Sequence, residues 1–132
     1  VQNNHLKRIM MVEDEPDIRT VAELALENIG GFGLTACESG QQALEKIDEC
    51  QPQLIILDVM MPGMDGPSTL KAIRRLPGYA STPVVFMTAK VQDAEIESYL
   101  AQGAVAVIPK PFDPLTLADQ IRDIWNKTCA IS

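Results

Sequence analysis

The chain has 132 residues, 46% of them hydrophobic, and a formal net charge of −7. That size and composition suit one domain around one packed core and argue against disorder. The acidic balance argues against direct nucleic-acid binding and against an anionic membrane surface, since both need Lys and Arg contacts.

No apolar run approaches the ~20 residues that span a bilayer. The polar start Val1-Gln2-Asn3-Asn4-His5 shows no signal peptide. The three cysteines, Cys37, Cys50 and Cys129, are odd in number and lack a C-x-x-C spacing. They read as reduced thiols in a cytoplasmic protein rather than as a disulfide framework or zinc site.

In chain order, residues 7–13 read as a first strand. A helix over 15–29 follows, with Ile18, Val21, Ala22, Ala25 and Ile29 on one face and Gly30-Gly31 ending it. A weaker strand covers 33–37. Ser39 and Gln42 form a capping box that opens a helix over 40–50. The third strand covers 53–58, and Pro62-Gly63-Met64-Asp65-Gly66 follows as a loop before a helix over 67–75. Pro77-Gly78 breaks the chain before a fourth strand at 83–88. A helix over 91–102 ends at Gly103, and the fifth strand covers 105–109. Asp113 caps a last helix with Pro114 at its first position. Leu117, Ile121, Ile124 and Thr128 share one side of that helix, next to Trp125. Lys71, Arg74 and Arg75 read as a solvated basic face of the third helix.

Five strands alternating with five helices predict an α/β fold: a doubly wound parallel sheet with helices on both faces. Both common strand orders of such sheets place ligands outside the carboxyl ends of the strands. In the flavodoxin-like order 2-1-3-4-5, the ends of the first, third and fourth strands are contiguous. Pro109 cannot donate to a ladder, which favours the edge position that this order gives the fifth strand.

The strand ends carry the chemistry. Glu13 and Asp14 follow the first run, Asp58 the third, Thr88 the fourth and Lys110 the fifth. Asp14 and Asp58 can supply two carboxylates to Mg²⁺, with Glu13 direct or through water and the Met60 backbone carbonyl as a further oxygen. Asp58, at the central strand, is placed as a nucleophile forming an aspartyl phosphate. Lys110 can neutralise one phosphoryl oxygen as a point charge, and Thr88 can donate to another. Singly, each residue has a plainer reading as a cap, turn or surface residue. Together, at four strand ends, they point to Mg²⁺-assisted phosphoryl transfer.

The motifs Val12-Glu13-Asp14-Glu15-Pro16, Leu57-Asp58-Val59-Met60-Met61-Pro62-Gly63-Met64-Asp65-Gly66, Met87-Thr88-Ala89, Gly103-Ala104 and Lys110-Pro111-Phe112-Asp113-Pro114 resemble the receiver domain of two-component response regulators. The resemblance spans essentially the whole chain. It implies one receiver domain over residues 1–132, with no output domain in this chain. It implies a switch phosphorylated on Asp58 by a histidine kinase or phosphotransfer protein, acting on a downstream protein. Glu13 and Asp14 are then the acidic pair, with Asp14 and the Met60 carbonyl as Mg²⁺ ligands. Thr88 and Lys110 contact the phosphoryl group, and the Lys110–Pro111 bond is expected to be cis. Met60 and Lys90 border the site, where they could influence attacking water. The fifth-strand switch position, usually aromatic in the family, is Val107 here. That lowers the expectation of a dimer through this face and leaves a monomer or weak dimer.

Three other readings compete. A haloacid-dehalogenase-like phosphatase also uses Asp, Mg²⁺, Thr and Lys, but has an acid/base Asp where this chain has Met60. A flavin-binding domain of the same fold needs a phosphate-cradling loop where Glu13-Asp14-Glu15 would repel a phosphate. A pseudo-receiver used only for docking has no support beyond Val107.

Overall fold

A computed structural model describes residues 5–131. Val1–Asn4, most of the polar start noted above, lie outside the described residues. Five strands, β1 (Arg8–Val12), β2 (Gly33–Cys37), β3 (Leu54–Asp58), β4 (Val84–Thr88) and β5 (Ala106–Pro109), form one sheet in the order β2-β1-β3-β4-β5. Every pairing is parallel. This is the flavodoxin-like order, with Pro109 on an edge strand as expected.

The helices are α1 (Pro16–Glu23), α2 (Gly40–Cys50), α3 (Gly66–Arg75), α4 (Asp93–Ala101) and α5 (Leu117–Ile131). β3 and β4 are buried at every position. Both faces of the sheet are covered, so these strands read as unbroken apolar runs. Alternate strand residues point to opposite faces. Met10, Ile55, Leu57 and Phe86 pack under α2, α3 and α4 with Ile47, Leu70 and Tyr99. Ile9, Met11, Ile56 and Val85 pack under α1 and α5 with Leu26, Leu117 and Ile121.

The structure corrects the first helix. After Glu23 it widens into a π-helical segment, Leu24–Ile29. The Gly30 amide donates to the Ala25 carbonyl five residues back, at 3.0 Å. The wider turn rotates the face, so Ala22, Ala25 and Leu26 are buried while Val21 and Ile29 stay 38% and 49% exposed. Gly30 sits where α5 approaches closely. A Cβ there would meet the Leu26 carbonyl oxygen at 2.7 Å and Ala118 Cβ at 2.9 Å. Only Gly31, at φ 77°, takes the left-handed conformation expected of the pair. The Arg122 guanidinium lies 4.7 Å from the Phe32 ring centroid and donates to the Gly30 carbonyl, pinning α5 to this turn.

Other boundaries move less. Ser39 Oγ accepts from the Gln42 amide at 3.1 Å, but Gln42 Oε1 reaches the Glu38 amide at 2.9 Å rather than that of Ser39. Asp113 caps a turn, accepting from the Leu115 amide at 2.9 Å, and α5 begins only at Leu117. Arg74 does not belong to a solvated face. It is half-buried, and Nη1 donates to the carbonyls of Tyr79 at 3.1 Å and Thr82 at 2.6 Å, holding the loop into β4.

Cys37, Cys50 and Cys129 form no disulfide. Burial pushes the Cys37 thiol up to about 11, which keeps it protonated and unreactive. Among the described residues, no helix is long and apolar enough to cross a membrane.

Candidate functional site

The parallel order brings the ends of β1, β3, β4 and β5 to one edge. Register fixes their relative heights: Val12 pairs with Leu57, Asp58 with Met87, and Thr88 with Pro109. Glu13, Asp14 and Lys110 therefore leave their strands beside or just beyond Asp58.

Lys110 is the bridge. Its Nζ donates to Glu13 Oε1 at 3.0 Å and to Asp58 Oδ1 at 3.1 Å. Glu13 is 0% exposed and Asp58 2%. The Lys110–Pro111 peptide is cis, as expected. Burial alone lowers the Lys110 pKa, but its hydrogen bonds to Glu13 and Asp58, and then their charges, raise it overall. The ammonium is held charged. Burial, and then the Glu13 charge, push Asp58 up to about 7 against the opposing pull of Lys110.

Three carboxylates cluster here. Glu13, Asp14 and Asp58 each offer an oxygen, and the three lie within 4.8 Å of one another. Asp14 Oδ1 and Asp58 Oδ2 are buried without a hydrogen-bond partner. Leaving a buried charged acceptor unpaired costs about 1–3 kcal/mol or more. An oxygen-seeking divalent cation is the group these atoms fit, since two carboxylates at one point are a usual Mg²⁺ donor set.

Thr88 is buried on β4 beside Asp58's strand, and its Oγ1 accepts from the Lys90 amide at 3.1 Å. A hydroxyl that accepts in this way keeps its own hydrogen to donate. Met60 lies on the loop after β3 and is 63% exposed; its thioether offers no oxygen, so its backbone carbonyl is the candidate donor. Gly66 lets α3 start against the end of β3. A Cβ there would stand 2.6 Å from the Asp58 carbonyl oxygen.

Val107 lies away from this cluster. It is half-buried and pairs in register with Phe86. The ring of Tyr99, from α4, packs edge-on to Phe86 with centroids 5.4 Å apart. Tyr99 and Val107 thus both pack against the core cluster that contains Phe86. His5 is exposed at the opposite end of β1 and takes no part.

Sequence reasoning missed one residue of the site's frame. Arg19 Nη1 donates to the Glu13 carbonyl at 2.7 Å. The available clue was charge: Arg19 is the only basic residue between Arg8 and Lys46.

Comparison with known proteins gives the family. The family model for the response regulator receiver domain matches residues 9–122. The chain is 35% identical over 119 residues to the transcriptional regulatory protein CseB of Streptomyces coelicolor, covering 90% of this chain and 49% of that protein. It is 38% identical over 120 residues to the transcriptional regulatory protein YvrH of Bacillus subtilis, covering 91% and 49%. The chain therefore spans about half the length of the curated relatives it matches. Among solved structures, the chemotaxis response regulator CheY4 of Vibrio cholerae superposes with a TM-score of 0.83 at 28% identity, covering 91% of this chain and 99% of that one.

Proposed function

This chain belongs to the response regulator receiver domain family, and we propose that it is a phosphorylation-dependent switch whose phosphoacceptor is Asp58. The observation that carries the reading is the state of that carboxylate: Oδ1 is held by Lys110 at 3.1 Å, while Oδ2 is buried and unpartnered.

A phosphohistidine on a histidine kinase or phosphotransfer protein is the donor. An Asp58 oxygen attacks phosphorus, the P–N bond breaks, and the histidine ring leaves with the bonding pair and takes up a proton. Asp14, Asp58 and the Met60 carbonyl would hold Mg²⁺, with Glu13 direct or through water. When bound, the ion neutralises charge on the phosphoryl oxygens. Lys110 places an ammonium beside the acceptor, and phosphorylation of Asp58 gives it a phosphoryl oxygen to pair with. Thr88 has a hydroxyl hydrogen to offer a second oxygen. The added charge biases a two-state equilibrium of the domain and so changes binding to a downstream protein. The chain acts in the cytoplasm on protein partners rather than on nucleic acid, and is not an enzyme towards other substrates.

Intact mass spectrometry after incubation with Mg²⁺ and a small acyl phosphate tests this. One labile phosphoryl adduct is expected, absent from Asp58→Asn. An unmodified mass, with no Mg²⁺ binding, overturns the reading.

A further inference from the structure

We propose that Arg19 is the positioning residue of the metal site, locking the loop between β1 and α1 so that the Asp14 carboxylate faces the cation. The proposal rests on the reading above that the cluster holds Mg²⁺.

The argument starts from the peptide unit. The Glu13 carbonyl and the Asp14 amide belong to one plane, and that plane also carries the Asp14 Cα. A hydrogen bond to the Glu13 carbonyl therefore restrains the direction in which Asp14 leaves the chain. Arg19 Nη1 makes that bond at 2.7 Å. Glu13 is tied elsewhere too: its amide donates to the Cys37 carbonyl at 3.0 Å, Oε2 accepts from the Glu15 amide at 3.1 Å, and Oε1 accepts from Lys110 at 3.0 Å. Those bonds place Glu13. The bond from Arg19 fixes the peptide that follows it.

Asp14 needs such help. Its buried Oδ1 has no hydrogen-bond partner, so that oxygen contributes nothing to aiming the side chain before a cation arrives. Arg19 is suited to the task. It lies half-buried on α1, and its own amide donates to Glu15 at 3.1 Å, so its base is anchored on the far side of the same loop. A guanidinium is a rigid, permanently charged fork, and a charge-assisted bond to a carbonyl exceeds a neutral one. It is also the one positive side chain among Glu13, Asp14, Glu15 and Asp17 in sequence.

The test is Mg²⁺ titration by calorimetry of the full chain, wild type against Arg19→Met and Arg19→Lys, with amide hydrogen exchange of Asp14 and Glu15 in the metal-free protein. Residues that orient metal ligands typically carry about 10–100-fold in affinity. Arg19→Met is expected to weaken Mg²⁺ binding about tenfold and to speed exchange at Glu15. Arg19→Lys, which keeps charge but loses the fork, is expected to fall between. If Arg19→Met melts earlier yet binds Mg²⁺ as the wild type does, Arg19 is merely structural and the proposal fails. Weaker binding with unchanged Glu15 exchange also overturns it. Should Arg19→Met not fold, Arg19→Lys and Arg19→Gln carry the same comparison. A wild type that binds no Mg²⁺ removes the underlying reading itself, an outcome separate from a variant that matches a binding wild type.

Discussion

At Asp58 two pressures oppose each other. Burial and the Glu13 charge favour the protonated acid, while Lys110 favours the carboxylate, and the balance lifts the pKa to about 7. A carboxyl group raised on folding binds its proton more tightly in the native state than in the unfolded one. Its contribution to stability is therefore favourable at low pH and is lost as pH rises from about 4 to about 7. Without metal, Asp58→Asn is expected to melt higher than wild type at pH 8, by on the order of 5 °C. The gain should shrink as pH falls towards 5. Thermal melts in chelator across that range check it, and a pH-independent difference would count against the burial argument. The carboxylates, Thr88 and Lys110 were legible in the sequence because each ends an apolar run. Arg19 was not, because a backbone acceptor leaves no pattern among side chains.

The helices show where sequence periodicity loses its grip. The stripe Ile18, Val21, Ala22, Ala25, Ile29 fits an α-helix, yet the chain turns π-helical at Leu24. The extra residue in the turn is set by tertiary contacts, namely Gly30 against Ala118 and Arg122 on the Gly30 carbonyl. No local propensity encodes those. Two substitutions distinguish the registers. Leu26→Ala should cost about 2–5 kcal/mol, as for a fully buried leucine. Ile29→Ala should cost well under that, about 1 kcal/mol or less, because half the side chain is already in water. Urea denaturation measures both, and a reversed order would restore the straight helix. Arg74 carries a similar lesson. Its neighbours Lys71 and Arg75 are exposed, but its own guanidinium is spent on two carbonyls across a turn.

For the molecule as a whole, strand order was legible because β-α alternation, right-handed crossovers and Pro109 all point the same way. Metal binding should couple to its global stability. A ligand that binds only the folded state adds RT ln(1 + [L]/Kd), about 1.4 kcal/mol at tenfold excess over Kd. Mg²⁺ is expected to raise the melting temperature, and chelator to reverse it. Since Asp58 titrates near 7, Mg²⁺ uptake below that pH should release a proton. Calorimetry in buffers of different ionisation enthalpy would detect it, and identical apparent heats in all buffers would argue against Asp58 as a ligand. Pro109 has one more consequence, and it concerns aggregation. An outermost strand offers unpaired amides to any passing chain. β5 is only four residues long, and its last residue has no amide hydrogen to give. The fifth strand thus closes the sheet with a short, donor-poor rim, which discourages another strand from adding there.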